Sequence, residues 1–318
     1  MILLWGISGD CPMAMVHAAL SRAGAPVVFL DQQAVVQTSI ELDLLDSAVS
    51  GTLKTADWTL DLATVSACYL RPYDIRRMTA LKDLEPTSTI VQCAFRFEDA
   101  LSCWIEMTPA LVVNRPSAMA SNNSKPYQLE LIRAAGFSVP DTLVTTDPAA
   151  AMEFHELHGE VIYKSVSGMR SIVTRLGMKD RDRLGDIAHC PTQFQEHIQG
   201  TDFRVHVVGE EMFGCEINSA ADDYRYPGRQ GAAVEVQACE VPEAVTQRCR
   251  RLAESLCLPV AGIDLRRTYS GKWYCFEANP SPGFSFYEEA AGQPVSEAIA
   301  RLLMRGHSNV SSDTTPAK

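Results

Sequence analysis

Residues 261–287, AGIDLRRTYSGKWYCFEANPSPGFSFY, constrain the fold more than any other stretch of the chain. Residues 262–268 and 272–276 read as two β-strands, and Tyr269-Ser270-Gly271 between them reads as a turn. Paired as a hairpin, they bring Asp264 near Glu277 and Asn279 at the end of the second strand. Two carboxylates about 4 Å apart repel by roughly 4 kcal/mol at an effective dielectric near 20, unless a cation sits between them. With an amide oxygen beside them they make a hard-oxygen set suited to Mg²⁺, with Mn²⁺ as an alternative, leaving the remaining positions to water and phosphate. The loop that follows, Asn279-Pro-Ser-Pro-Gly-Phe284, is stiff and irregular, the kind that shapes a pocket. The competing reading is an ordinary hairpin with surface acids and a Pro-rich turn.

Length and composition narrow the setting. A chain of 318 residues accommodates two domains, or one large core with subdomains. A net charge of −11 argues against nucleic acid as a partner, which would need a basic face. The ten cysteines show no C-x-x-C and no His at zinc spacing, so mostly buried, reduced thiols of a cytoplasmic protein are expected. The N-terminus has no signal-peptide pattern, and no run is long and apolar enough for a transmembrane helix, so no membrane partner is expected. The polar tail, residues 307–318, is expected to be disordered.

The N-terminal third begins as a β-α-β unit: a strand at 2–6, a helix at 11–23 stopped by Gly24, and a strand at 26–30. Its turn, Gly6-Ile-Ser-Gly9, is not the dinucleotide fingerprint. Strands at 65–70 and 111–113 would complete a small parallel sheet, with Arg71, Tyr73, Asp74 and Arg77 just past one strand end, where open α/β sheets place ligands. A boundary falls near Asn114-Arg-Pro116.

Beyond the boundary a helix is expected at 127–135, with Lys125 at its start, where the helix dipole disfavours a cation unless something anionic lies nearby. A strand at 161–164 ends in Lys164. A Ser/Gly loop, 165–171, follows and can fold its N–H groups over phosphates. In an adenine pocket, Gln195, Glu196 and the backbone of His197 and Ile198 would read the base edge, and Asp202 would take ribose hydroxyls.

In this order, Lys125, Lys164 before a Ser/Gly loop, Q-E-x-I, G-x-D-x-R-V-x-V-V-G, G-I-D-L and F-E-A-N-P-S-P-G-F resemble the ATP-grasp superfamily, and within it the RimK-type carboxylate–amine ligases. The likeness runs from about residue 114 to 306. It implies an α/β fold: a pre-ATP-grasp, Rossmann-like domain at 1–114, a lid and central subdomain at 115–200 with a mobile lid, and a C-terminal subdomain at 201–306 carrying the metal site. It also implies that Lys125 and Lys164 contact ATP phosphates under a loop containing Ser167 and Gly168. Glu196 and Ile198 would grip adenine, and Asp202 the ribose side. Asp264, Glu277 and Asn279 match the family's magnesium ligands, which the hairpin argument reached independently. Arg204 and Arg266 would face the phosphoryl group, Arg225 the substrate, and Ser281 and Gly283 the acceptor pocket.

The implied activity is ATP- and Mg²⁺-dependent joining of a small-molecule or peptide carboxylate to an amine, in a chain that would pair as a homodimer. Three rival readings remain: a maturase closing side-chain esters or amides on a ribosomal peptide, a kinase on the same ATP site, and a nucleotide-binding module without catalysis.

Overall fold

The chain is described here by a computed structural model over residues 1–45, 48–166, 173–219 and 233–312. The first unit is the expected β-α-β: β1 (Ile2–Gly6), α1 (Cys11–Arg22) and β2 (Val27–Asp31). Asp10 caps α1, its carboxylate accepting the Met13 N–H at 3.1 Å. A small antiparallel sheet follows, β3 (Ser39–Leu45), β4 (Ala48–Lys54) and β5 (Thr59–Asp61), which the sequence reading did not anticipate. Then come β6 (Ala67–Arg71), the 19-residue α2 (Thr89–Met107) and β7 (Leu111–Val113). Strands order as β2-β1-β6-β7, and all three pairings are parallel. Helix α2 was also not foreseen, although Val91, Ala94, Phe97, Leu101 and Trp104 recur at helical spacing and are all buried against that sheet.

One half-buried acid in this unit makes stability depend on pH. On α2, Glu98 accepts a hydrogen bond from Gln32 Nε2 at 2.6 Å, and burial pushes its carboxyl up to about 7. A carboxyl whose folded pKa is raised binds more protons folded than unfolded, so its contribution declines as pH rises through the window between the two values. Glu98 is only partly buried, so the penalty at about pH 8 is about 1 kcal/mol after solvent screening. Glu98→Gln should therefore gain about that much stability at pH 8 and almost nothing near pH 4, read by denaturant unfolding at both.

The remaining elements build two further sheets. After α3 (Pro116–Met119) and α4 (Lys125–Ala134) come β8 (Thr142–Thr145), α5 (Pro148–His158), β9 (Val161–Ser165), β10 (Thr174–Arg175) and β11 (Thr192–Glu196). These strands order as β10-β9-β11-β8, antiparallel throughout. The larger sheet contains β12 (Thr201–Val208), β13 (Glu211–Ser219), β14 (Val234–Cys239), β15 (Val260–Arg267) and β16 (Trp273–Asn279), ordered β14-β13-β12-β15-β16. Helix α6 (Glu243–Ser255) presses Val245, Cys249 and Leu252 onto one face of it, against Phe203, Val205, Ile263 and Leu265. The other face carries the polar side chains of Asp202, Arg204, His206, Asp264 and Arg266 beside apolar ones at Val208, Ile217 and Val260.

Gly200 opens β12 at φ +156°, where an added Cβ would lie 2.2 Å from the Arg267 carbonyl oxygen. Only glycine allows that approach.

The chain ends in α7 (Ser285–Ala291) and α8 (Val295–Ser312). Helix α8 carries residues 307–312, expected to be part of a disordered tail; residues 313–318 lie outside the described residues. Its Val295, Ile299 and Leu303 share a core with Ile2, Leu4 and Val16 of the first unit, so the two ends of the chain pack together. The expectation of mostly buried thiols is corrected. Four cysteines are buried and one half-buried, but Cys11, Cys93, Cys103, Cys190 and Cys257 are exposed, and none is in a disulfide. Among the described residues no helix is long and apolar enough to cross a membrane.

Candidate active site

The open face of the large sheet carries one continuous row of reactive side chains. In register, Cys215 of β13 faces Arg204 of β12, Arg204 faces Asp264 of β15, and Asp264 faces Glu277 of β16. The hairpin expected from the sequence is present, and its two acids are directly opposed. Between Asp264 and Leu265 the pairing shifts register by a bulge. Strict alternation would put Cys275 and Glu277 on one face. The bulge instead leaves Cys275 in the core and turns Phe276 and Glu277 both outward.

Each acid has its own cation. Arg204 Nη1 donates to Asp264 Oδ1 at 2.5 Å, and Lys125 Nζ lies 3.1 Å from Glu277 Oε2. The anion expected near the start of α4 is therefore Glu277. Helix α4 is held beside the edge strand by Gln128, whose amide exchanges two hydrogen bonds with the Ala278 backbone at 2.9 and 3.1 Å. This completes the β16 edge as a neighbouring strand would, and sets Lys125 one turn earlier over Glu277.

Arg204 is buried and braced on several sides. Its Nε donates to His206 Nε2 at 3.3 Å, and its guanidinium lies 5.6 Å over the Tyr287 ring. Burial, reinforced by the adjacent Arg204 charge, holds the His206 imidazole well below its ordinary pKa, so it stays a neutral acceptor. The guanidinium also crosses Gly262, where a Cβ would meet Nη2 at 2.0 Å. Among the residues the sequence reading did not single out, His206, Tyr287 and Gln128 thus support the row. For His206 the available signal was alternation with buried β12 residues, and for Gln128 its spacing from Lys125; Tyr287 had none.

A second row runs parallel to the first. Arg266 faces Asp202 in register and grips its carboxylate with two hydrogen bonds, at 2.7 and 2.8 Å. It also donates to the Ile198 carbonyl at 2.7 Å and stacks over Phe276. Arg266 was expected to face a phosphoryl group and Asp202 a ribose. In this structure they hold one another, because they are direct cross-strand partners.

On the smaller sheet, Lys164 Nζ reaches Gln195 Oε1 at 3.5 Å, and Gln195 Nε2 donates to Thr142. The Glu196 side chain points to the opposite face, accepting the Asp141 N–H at 3.3 Å, so only its backbone lines the Lys164 side. Asn279 Oδ1 accepts the Ser281 N–H at 2.9 Å and keeps its second lone pair. Gly283 has open space where a side chain would stand. Ser167, Gly168 and Arg225 lie outside the described residues.

The donor set fits a divalent cation. Two opposed carboxylates and an amide oxygen at one sheet edge are hard ligands, and the placement of Lys125 and Arg204 on them marks a negative site that needs positive charge.

Comparison with known proteins gives the same direction. The family model for a RimK-like ATP-grasp domain matches residues 120–303. Beta-citrylglutamate synthase B of Danio rerio is 26% identical over 63% of this chain and 52% of its own. The ribosomal protein bS6–L-glutamate ligase of Escherichia coli O81 (strain ED1a) is 24% identical over 63% of this chain and 69% of its own. The chain spans about half the length of the first of these relatives. Among solved structures, the ATP-grasp ligase PsnB complexed with minimal precursor, Mg and ADP is 26% identical, covering 96% of this chain and 98% of that one, at a TM-score of 0.76. The macrocyclase MdnC bound with precursor peptide MdnA from Microcystis aeruginosa MRC, at 21% identity, 95% and 98% coverage and a TM-score of 0.80, is alike in fold.

Proposed function

The chain belongs to the RimK-like ATP-grasp family, and from that premise we propose that it is an ATP- and Mg²⁺-dependent ligase joining a carboxylate to an amine. The observation that carries this reading is the row Arg204–Asp264–Glu277–Lys125, two acids flanked by two cations on the open sheet face. Asp264, Glu277 and Asn279 would hold Mg²⁺, which when bound neutralises charge on the triphosphate. Lys125 and Arg204 rest on those acids and, relieved of them, turn to the phosphates and the transferring phosphoryl group. Lys164, on the smaller sheet, would take the phosphates from the other side. The backbone at Glu196 and Ile198 meets adenine, while Arg266 fixes Asp202 and the Ile198 carbonyl at the ribose edge. Ser281 and Gly283 face the acceptor.

The chemistry follows from charge placement. A substrate carboxylate oxygen attacks the γ-phosphorus, the bond to ADP breaks, and an acyl phosphate forms. The amine then attacks the acyl carbon, phosphate leaves and the amine gives up a proton. The protein's share is alignment and neutralisation. We assign residues 1–114 to a pre-ATP-grasp domain, 115–200 to the lid and central part, and 201–306 to the metal-binding part.

The test is ADP release with Mg²⁺-ATP against pooled amino acids, short peptides and metabolite extract, with hydroxylamine added in parallel. Pool-dependent ADP with a hydroxamate is the expected result. ADP without hydroxamate would point to a kinase, and its absence from every pool would remove the small-molecule reading. A second reading concerns the substrate. PsnB, solved with its minimal precursor, is 26% identical over nearly the whole of both chains. That favours a ribosomal peptide whose own side chains supply the acid and the nucleophile.

A further inference from the structure

The N-terminal unit reaches into the loop that carries Asn279. Arg71, the last residue of β6, donates from Nη1 to Ser281 Oγ at 3.0 Å and to the Pro282 carbonyl at 3.1 Å. Its Nε and Nη2 donate to Asp10 at 2.5 and 3.4 Å, and the Tyr73 hydroxyl donates to the same carboxylate at 2.8 Å. Tyr73 is held in turn by Gln32, whose amide accepts the Tyr73 N–H and donates to its carbonyl. On the other side, the Ser281 N–H is bonded to Asn279 Oδ1. A chain of hydrogen bonds therefore runs from the first sheet through Arg71 and Ser281 to an atom of the proposed metal-ligand set. The Arg71 side chain is about one-tenth exposed, and the Asp10 side chain less.

We infer that Arg71 is a positioning residue, through which the N-terminal unit orients Asn279 and the 281–283 loop for metal and acceptor. The inference rests on the ligase reading above. Asn279 sits at the end of an edge strand and enters a Pro-rich loop, which Asn114 holds at the Pro280 carbonyl and Arg71 holds on the Ser281 side, next to the Asn279 amide. The guanidinium gives this second brace two bonds from Nη1, while its Nε and Nη2 fork onto Asp10 and fix the direction in which Nη1 points. Asp10 and Tyr73 stop the fork from rotating, much as outer partners orient the ligands of a metal.

Removing Arg71 alone would leave Asp10 buried and unpaired, so the test uses the double variant Asp10→Asn/Arg71→Met. Asn still caps α1, and no isolated charge remains. The measurement is binding of a non-hydrolysable ATP analogue by calorimetry across a Mg²⁺ series, alongside thermal unfolding. The expected result is a folded double variant whose half-saturating Mg²⁺ rises about tenfold, with nucleotide affinity at saturating Mg²⁺ unchanged. Tyr73→Phe, which keeps the ion pair, should shift the same midpoint about threefold and serves if the double variant fails to fold. An unchanged Mg²⁺ midpoint in a folded double variant, or in Tyr73→Phe where the double variant does not fold, overturns the positioning role. Failure of wild type to bind nucleotide with Mg²⁺ overturns the ligase reading itself, and the inference with it.

Discussion

Glu277→Gln is expected to lose at least about a hundredfold in substrate-dependent ADP release while staying folded. The substitution preserves shape and removes one of two opposed charges. The remaining acid, Asp264, already shares its negative charge with Arg204 at 2.5 Å. Metal affinity falls, because hard cations are held by the number of charged oxygens around them. Lys125 loses its 3.1 Å partner at the same time, and it is nearly buried. A nearly buried ammonium left without its counter-charge is destabilising. The measurement is initial rate against Mg²⁺ concentration. Activity within about threefold of wild type at every Mg²⁺ concentration would exclude Glu277 from the metal-ligand set.

Gly262→Ala is expected to be nearly as damaging, although position 262 carries no reactive group. The new Cβ would lie 2.0 Å from Arg204 Nη2, 2.5 Å from Cζ and 2.7 Å from Pro282 Cβ. Arg204 has no easy retreat. His206 and Asp264 hold its two ends and Tyr287 lies against its face. Either the arginine leaves its place in the row or the 281–283 loop moves away. Turnover should fall about a hundredfold, as for loss of one charge-stabilising donor, with about 1–3 kcal/mol of stability lost to overpacking. Gly271→Ala is the control. Its φ is +84° in open space at the hairpin turn, so the change should weaken the fold by about 1 kcal/mol and leave turnover alone. Equal turnover in Gly262→Ala and wild type would show that Arg204 does not act from this position.

Much of this site can be read from local pattern. The runs on either side of Tyr269-Ser270-Gly271 pair as a hairpin, which brings Asp264 near Glu277; the register set by the turn alone would oppose Asp264 to Phe276, and a bulge shifts it to Glu277. Lys125 at a helix start implies an anion, and the anion is Glu277. The bulge at Asp264/Leu265 is not legible in this way. It decides that Cys275 is core while Phe276 and Glu277 both face the site, and an alternating pattern cannot reveal where alternation breaks. Arg266 illustrates a second limit. Its spacing from Asp264 puts both on one sheet face, yet its partner is Asp202, set by the β12–β15 pairing. Helix α2 and the β3–β5 sheet need no long-range information, since their apolar residues recur at regular spacing.

The sequence by itself determined the chemical inventory, the hairpin and the order of the motifs, because turns, capping and hydrophobic period act over a few residues. Tertiary structure alone decided which charges meet. Arg204 and Asp264 are 60 residues apart, and Arg71 and Ser281 are 210 apart. Pairs at such separations come together only when sheets and helices bury their apolar faces, and that burial is set by the whole chain.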